Sequence, residues 1–208
     1  MDGDFTWIPA MRGDAHDYVW DGALQGVAFN GKELSLDNGR SAPHVHFEVG
    51  ATPNIIGPLR LLEDMAKSVG GEVSREIHSE SEAYDGTLVV PCEADLDLGY
   101  TINGVTFSIT RTSLLAKELG DGMCATVLVA SDYYEVENKW ILGEAFCSNF
   151  YMAFRSGVEP AVGIAKLRNE TTGAKIEYSE CRKEGGSDTC NLELLQGPQL
   201  YIQKGSEL

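Results

Sequence analysis

Three titratable side chains stand two residues apart in the segment His44-Val45-His46-Phe47-Glu48. Side chains alternate between the faces of an extended strand, so His44, His46 and Glu48 share one surface and Val45, Phe47 and Val49 the other. Two imidazoles and a carboxylate suit zinc or iron. A third ligand from outside the strand is not evident in the sequence, so neither a metal nor a cofactor is expected. As proton carriers the same groups are better matched. An imidazole beside a carboxylate has its charged form favoured, while burial raises the carboxylate, and such a pair can exchange a proton near neutral pH. The plainer reading is structural, with His46 a satisfied, partly buried side chain and His44 a surface residue at the start of the strand.

Other residues capable of chemistry carry weaker signals. Tyr18, Trp20 and Phe29 alternate along one stretch and read as core rather than a ligand platform. Glu93, Asp95 and Asp97 form an acidic run that fits a solvated loop, with calcium binding as an outside alternative. Of five cysteines, Cys92 is expected to pair with Cys124 and Cys181 with Cys190. The second bridge would close a polar loop whose central Gly185-Gly186 permits the chain reversal. Cys147 is then the odd thiol, buried and inert within the apolar stretch 144–154. No Cys-x-x-Cys spacing points to structural zinc.

The elements that must hold these residues are mostly strands. Asn30-Gly31, Asn38-Gly39, Asp85-Gly86, Asn103-Gly104 and Asp121-Gly122 are turn dipeptides. Between them Phe5 to Pro9, Tyr18 to Phe29, Val45 to Val49, Gly86 to Cys92, Tyr100 to Ile109, Ala125 to Ala130 and Val162 to Leu167 read as strands from their β-branched and aromatic content. Two or three short helices interrupt them. The clearest is Pro58 to Val69, opened by a proline in its first turn, with Leu59, Leu62, Met65, Ala66 and Val69 on one face and Gly70-Gly71 as the stop. A turn over Ser113 to Leu119 and a helix over Glu144 to Tyr151 are expected as well. Glu72 to Tyr84 reads as a polar surface excursion. Residues 168–208 are polar, with Lys175 to Tyr178 and Gln199 to Gln203 expected to pair as an appended hairpin.

The chain has 208 residues and a formal charge of −16, enough length for its own core in one large or two small domains. That charge repels a phosphate backbone, so nucleic acid is not an expected partner. No apolar run reaches the roughly 18 residues that a membrane-spanning helix needs. The opening Met1-Asp-Gly-Asp-Phe-Thr6 has neither a basic region nor an apolar one, so a signal peptide is either removed or was never present. Asn169-Glu-Thr171 is a glycosylation acceptor that matters only if the chain is secreted.

Taken in order, Phe5-Thr-Trp7-Ile-Pro9, Asn30-Gly31, Phe47-Glu-Val-Gly-Ala-Thr52, Gly57-Pro58 opening a helix, Cys92, Tyr100-Thr-Ile-Asn-Gly-Val105, Cys124 and Trp140-Ile-Leu-Gly143 resemble the carboxy-terminal lobe of a pepsin-like aspartic protease. The resemblance covers about residues 5–167. It implies a mainly β fold, a single pepsin-type lobe over residues 1–167 whose strands form a β-barrel, with 168–208 as an extension packed on it. It also implies that Trp140 to Gly143 packs near Glu48, and it agrees with the Cys92–Cys124 disulfide, hence with a secretory chain.

The family's catalytic loop reads Asp-Thr-Gly-Thr/Ser, its aspartate sharing a water with a counterpart from the other lobe. The matching residues here are Glu48-Val49-Gly50-Ala51-Thr52. Glu48 keeps a carboxylate on a longer arm, whereas Val49 and Ala51 lack the hydroxyls that brace the loop and orient its acid. Two coupled carboxylates underlie this protease chemistry, and one copy of this chain offers one. The favoured expectation is therefore small-molecule acid–base chemistry, an isomerisation or cyclisation, with Glu48, His46 and His44 catalytic and Val49, Ala51 and Thr52 lining the binding surface. The alternatives are a pseudoprotease that binds a peptide, inhibitor or partner protein, a homodimeric acid protease using Glu48 from each copy, and a fragment of a longer protease-like chain.

Overall fold

Three of the turn dipeptides place both residues in the left-handed region: Asn30 and Gly31 (φ 49° and 74°), Asn103 and Gly104 (50° and 76°), Asp121 and Gly122 (50° and 74°). That geometry matches the right-handed twist of paired strands and produces tight hairpins. The computed structural model describes residues 5–11, 20–77, 84–167 and 201–203. Its elements run β1 (Thr6–Pro9), β2 (Asp21–Phe29), β3 (Lys32–Glu33), β4 (His44–Phe47), β5 (Ile55–Pro58), α1 (Leu59–Val69), β6 (Glu72–Ser74), β7 (Gly86–Pro91), β8 (Asp97–Ile102) and β9 (Val105–Thr110). They continue with α2 (Arg111–Leu114), β10 (Leu115–Gly120), β11 (Met123–Ser131), α3 (Asp132–Glu137), β12 (Lys139–Leu142), α4 (Glu144–Cys147), β13 (Phe150–Arg155), β14 (Ala161–Lys166) and β15 (Tyr201–Gln203).

The fold is mainly β, a single lobe of the expected kind. An 11-stranded sheet follows the order β6-β7-β11-β5-β12-β4-β2-β8-β9, with β10 beside β11 and β3 beside β2. Its ends, β6 and β9, do not pair with each other, so the sheet stays open and the expected barrel does not close. A second sheet of four strands runs β1-β14-β13-β15. The core between them is aromatic: Tyr100 meets Trp140 and Phe146 edge-on at 5.3 and 5.7 Å, and Phe146 lies 4.9 Å from Phe150. Such packing adds roughly 0.5–1.5 kcal/mol per pair beyond area burial. The Cys92–Cys124 disulfide forms as expected, and Cys181 and Cys190 lie outside the described residues.

Four helices occur among the described residues, against the two or three that the sequence suggests. The addition is α3, which buries none of its residues and so carries no apolar stripe from which to read it. α1 begins one residue after Pro58, which holds the N-cap position. The helix expected to reach Tyr151 stops at Cys147, because the Asn149 side chain donates to the carbonyls of Ala145 and Phe146 and Phe150 and Met152 then turn inward along β13. Residues 115–119, expected within a turn, belong to β10, which pairs with β11. The polar stretch after Gly71 starts with β6, paired to β7. Of the expected appended hairpin, Lys175 to Tyr178 lies outside the described residues, and Tyr201 to Gln203 runs parallel to β13.

Candidate functional site

β4 sits inside the large sheet, parallel to β12 on one side and antiparallel to β2 on the other. The alternation read from the sequence holds, with Val45 and Phe47 buried and His44 and His46 half-buried on the opposite face. Glu48 lies one residue past the strand. Its backbone N–H still donates to Leu142 O at 3.1 Å, and the loop beyond it is tied to the start of α4 by Gly143 N–H to Asn54 O (3.2 Å) and Glu144 N–H to Thr52 O (2.9 Å). Trp140 to Gly143 thus packs against the Glu48 loop, as the resemblance implies. Gly143 is required there, since a Cβ would collide with the carbonyl oxygens of Thr52 and Asn54. Gly50 takes φ 81°, a left-handed turn that a side chain would strain. The tip it creates leaves Val49 38% exposed, with Ala51 exposed and Thr52 half-buried. Thr52 serves the loop through its carbonyl, as the acceptor for Glu144.

The carboxylate partner of His46 is Asp21. The two residues are direct cross-strand neighbours, and His46 Nδ1 lies 2.6 Å from Asp21 Oδ1. An ionised carboxylate only accepts, so Nδ1 carries the proton and the neutral ring keeps its lone pair on Nε2. Lys139 Nζ lies 3.7 Å from the other carboxylate oxygen. Burial works against the Asp21 charge, but the His46 hydrogen bond, the positive charge of Lys139 and the nearby His46 and His44 imidazoles outweigh it and hold its pKa below the usual value. His44, at the start of β4, has its Nδ1 3.2 Å from the Ala42 carbonyl.

Glu48 has different company. Ile141 links the two regions, lying opposite His46 on one side and Ile56 on the other. Ile56, Val129 and Ile141 form a small apolar cluster on this face, packed against Tyr84 and Tyr134. Burial raises the Tyr134 phenol, and the neighbouring Tyr84, Glu48, Glu137 and Tyr133 raise it further. The carboxylate of Glu48 makes no ion pair or hydrogen bond among the described residues. Sequence reasoning missed Asp21, Lys139 and Tyr134. The start of the long second strand was legible, but the register that sets Asp21 against His46 was not.

Cys147 is buried, and burial followed by the charge of Glu144 pushes its thiol up to about 12, too high for a nucleophile at neutral pH. Among the described residues no group of three His, Cys, Asp or Glu side chains is placed to hold a metal ion, and no helix is long and apolar enough to cross a membrane.

The sequence model of the eukaryotic aspartyl protease family matches residues 1–167. The chain belongs to that family. Its similarity to individual members is low: 28% identity over 157 residues to Major aspartyl peptidase 1 of Cryptococcus neoformans var. grubii, covering 73% of this chain and 31% of that protein. Cathepsin E of Rattus norvegicus is 26% identical, with 78% of this chain and 38% of the relative covered. Pregnancy-associated glycoprotein 4 of Ovis aries is 24% identical with the same coverage, 78% and 38%. This family member therefore spans about a third of the length of the curated relatives it matches. Its disulfide fits folding in an oxidising, secretory compartment.

Proposed function

We propose that this lobe binds peptide at the Glu48 loop and does not by itself hydrolyse it. The observation that carries the reading is the loop: one carboxylate, set on a backbone-braced turn, flanked by exposed Val49 and Ala51 without hydroxyls. Water activation of the aspartic type needs two carboxylates that share a proton, and a single copy brings Glu48 alone. Peptide is the natural ligand class because relatives of this lobe are named as peptidases. Peptide binding measured by calorimetry, beside a cleavage assay on unfolded protein from pH 3 to 7, tests it. Binding without cleavage is expected. Cleavage that is abolished by Glu48→Gln and rises with dimer concentration would instead support the homodimeric protease.

A second reading, small-molecule proton transfer, draws support from the Asp21–His46 contact, which leaves Nε2 of an oriented imidazole as a base. In that reading Asp21 is a positioning residue for His46. A substrate whose turnover falls by on the order of a hundredfold in His46→Ala would support it, since that is the range for general acid–base groups.

A further inference from the structure

Among the described residues α3 presents an unpartnered face. It lies against β5, β12 and α1, yet Tyr133 is 60% and Val136 52% exposed. Tyr133, Val136 and Glu137 fall at i, i+3 and i+4, which sets them side by side on one helix surface. The rings of Tyr133 and Tyr134 meet at 78° with centroids 5.2 Å apart. Glu137 raises the Tyr133 phenol, and Glu48 and Glu137 both raise that of Tyr134. The helix begins with Asp132 and Glu135 and has no basic residue in its last turn. Glu137 even sits at the carboxyl end, where the helix dipole disfavours a negative charge. Arg60 pairs with Glu135 of the helix itself and Lys139 with Asp21, which leaves Asp132 and Glu137 without an ion pair among the described residues.

Carboxylates and aromatic faces attract the same thing, an organic cation. The chain's charge of −16 steers such a ligand in the same sense from a distance. We infer that the outward face of α3, with Glu48 beside it, docks a lysine- or arginine-bearing peptide segment, its charged head against Tyr133, Tyr134 and Glu137 and its aliphatic stem over Val136. The inference rests on the peptide-binding reading and names the class of peptide.

Three hexapeptides with one apolar frame and a central Lys, Gln or Glu distinguish the outcomes by fluorescence anisotropy at about 150 mM salt, where long-range attraction is screened beyond ~8 Å. The lysine peptide is expected to bind about tenfold more tightly than the other two. Tyr133→Ala and Glu137→Gln should each weaken it about fivefold, while Glu118→Gln, on the exposed β10 strand at the far end of β11, should leave it unchanged. Backbone amide shifts induced by the lysine peptide should centre on residues 132–137, and these are read in Glu137→Gln as well, so misfolding of a variant is visible. Equal binding of the Lys and Gln peptides would overturn the inference and leave the peptide-binding reading standing. No binding of any of the three would overturn that reading itself. Equal weakening by Glu118→Gln would reduce the effect to diffuse acidity and also overturn the inference.

Discussion

Two acidic side chains on the same face of the sheet are treated in opposite ways. Asp21 is held from both sides, by His46 at 2.6 Å and Lys139 at 3.7 Å, within a ladder that fixes all three backbones. Among the described residues Glu48 is held through its main chain, by Leu142 and by the loop contacts to Gly143 and Glu144, and its carboxylate, which raises the Tyr134 phenol, pairs with no cation. The first arrangement is a closed network whose charges satisfy one another. The second keeps an anion available to something outside the lobe. The contrast supports the proposed binding use of Glu48, and it sets His46 against Asp21 rather than Glu48.

The comparison breaks most severely at the backbone that supports Glu48. Gly143→Ala should lower stability by about 3 kcal/mol in denaturant unfolding, the upper end of ordinary overpacking, because the new methyl meets the carbonyls of Thr52 and Asn54 and neither can withdraw without releasing α4.

Removing the closed network should cost less. Asp21→Asn is expected to lose about 1–2 kcal/mol at pH 7, the loss of a charge-assisted hydrogen bond. The sign with pH follows from the lowered pKa of Asp21. A carboxyl that is more acidic in the folded than in the unfolded chain stabilises fully above the unfolded value of about 3.9, and that contribution disappears as pH falls through the lower, folded value. The difference between wild type and Asp21→Asn should therefore be flat from pH 7 to 5 and shrink below about pH 4 in a series of urea melts. A difference that persisted unchanged at pH 2 would mean that the contact is not ionic.

The smallest effect is expected at the open carboxylate. Glu48→Gln should change stability by less than about 0.5 kcal/mol, the range for substitutions that break no buried network, and should alter peptide affinity instead. A large loss of stability would show that Glu48 belongs to the fold after all.

The legible part of this molecule was local. Alternation in His44 to Phe47, left-handed Asn-Gly and Asp-Gly turns, and the stripe of α1 each follow from a few neighbouring residues. What escaped was nonlocal or unpatterned. Asp21 and His46 meet across 25 residues of chain, and no local rule gives the register of β2 on β4. α3 lacked a signal because its anchoring comes from Tyr134 resting on Ile56, Val129 and Ile141 and from the Arg60 contacts of Glu135 rather than from a repeating apolar face. Short strands such as β6 and β10 owe their existence to the neighbours they pair with, β7 and β11, and their own residues show no sustained alternation.

The central claim is that the Glu48 loop holds peptide without cutting it. Incubation of the lobe with an unfolded-protein digest from pH 3 to 7, followed by mass spectrometry of the retained and released peptides, addresses it directly in wild type and Glu48→Gln. The account predicts intact peptides throughout, retained by wild type and held less well by the variant. New peptide termini produced by wild type and absent with Glu48→Gln would contradict it.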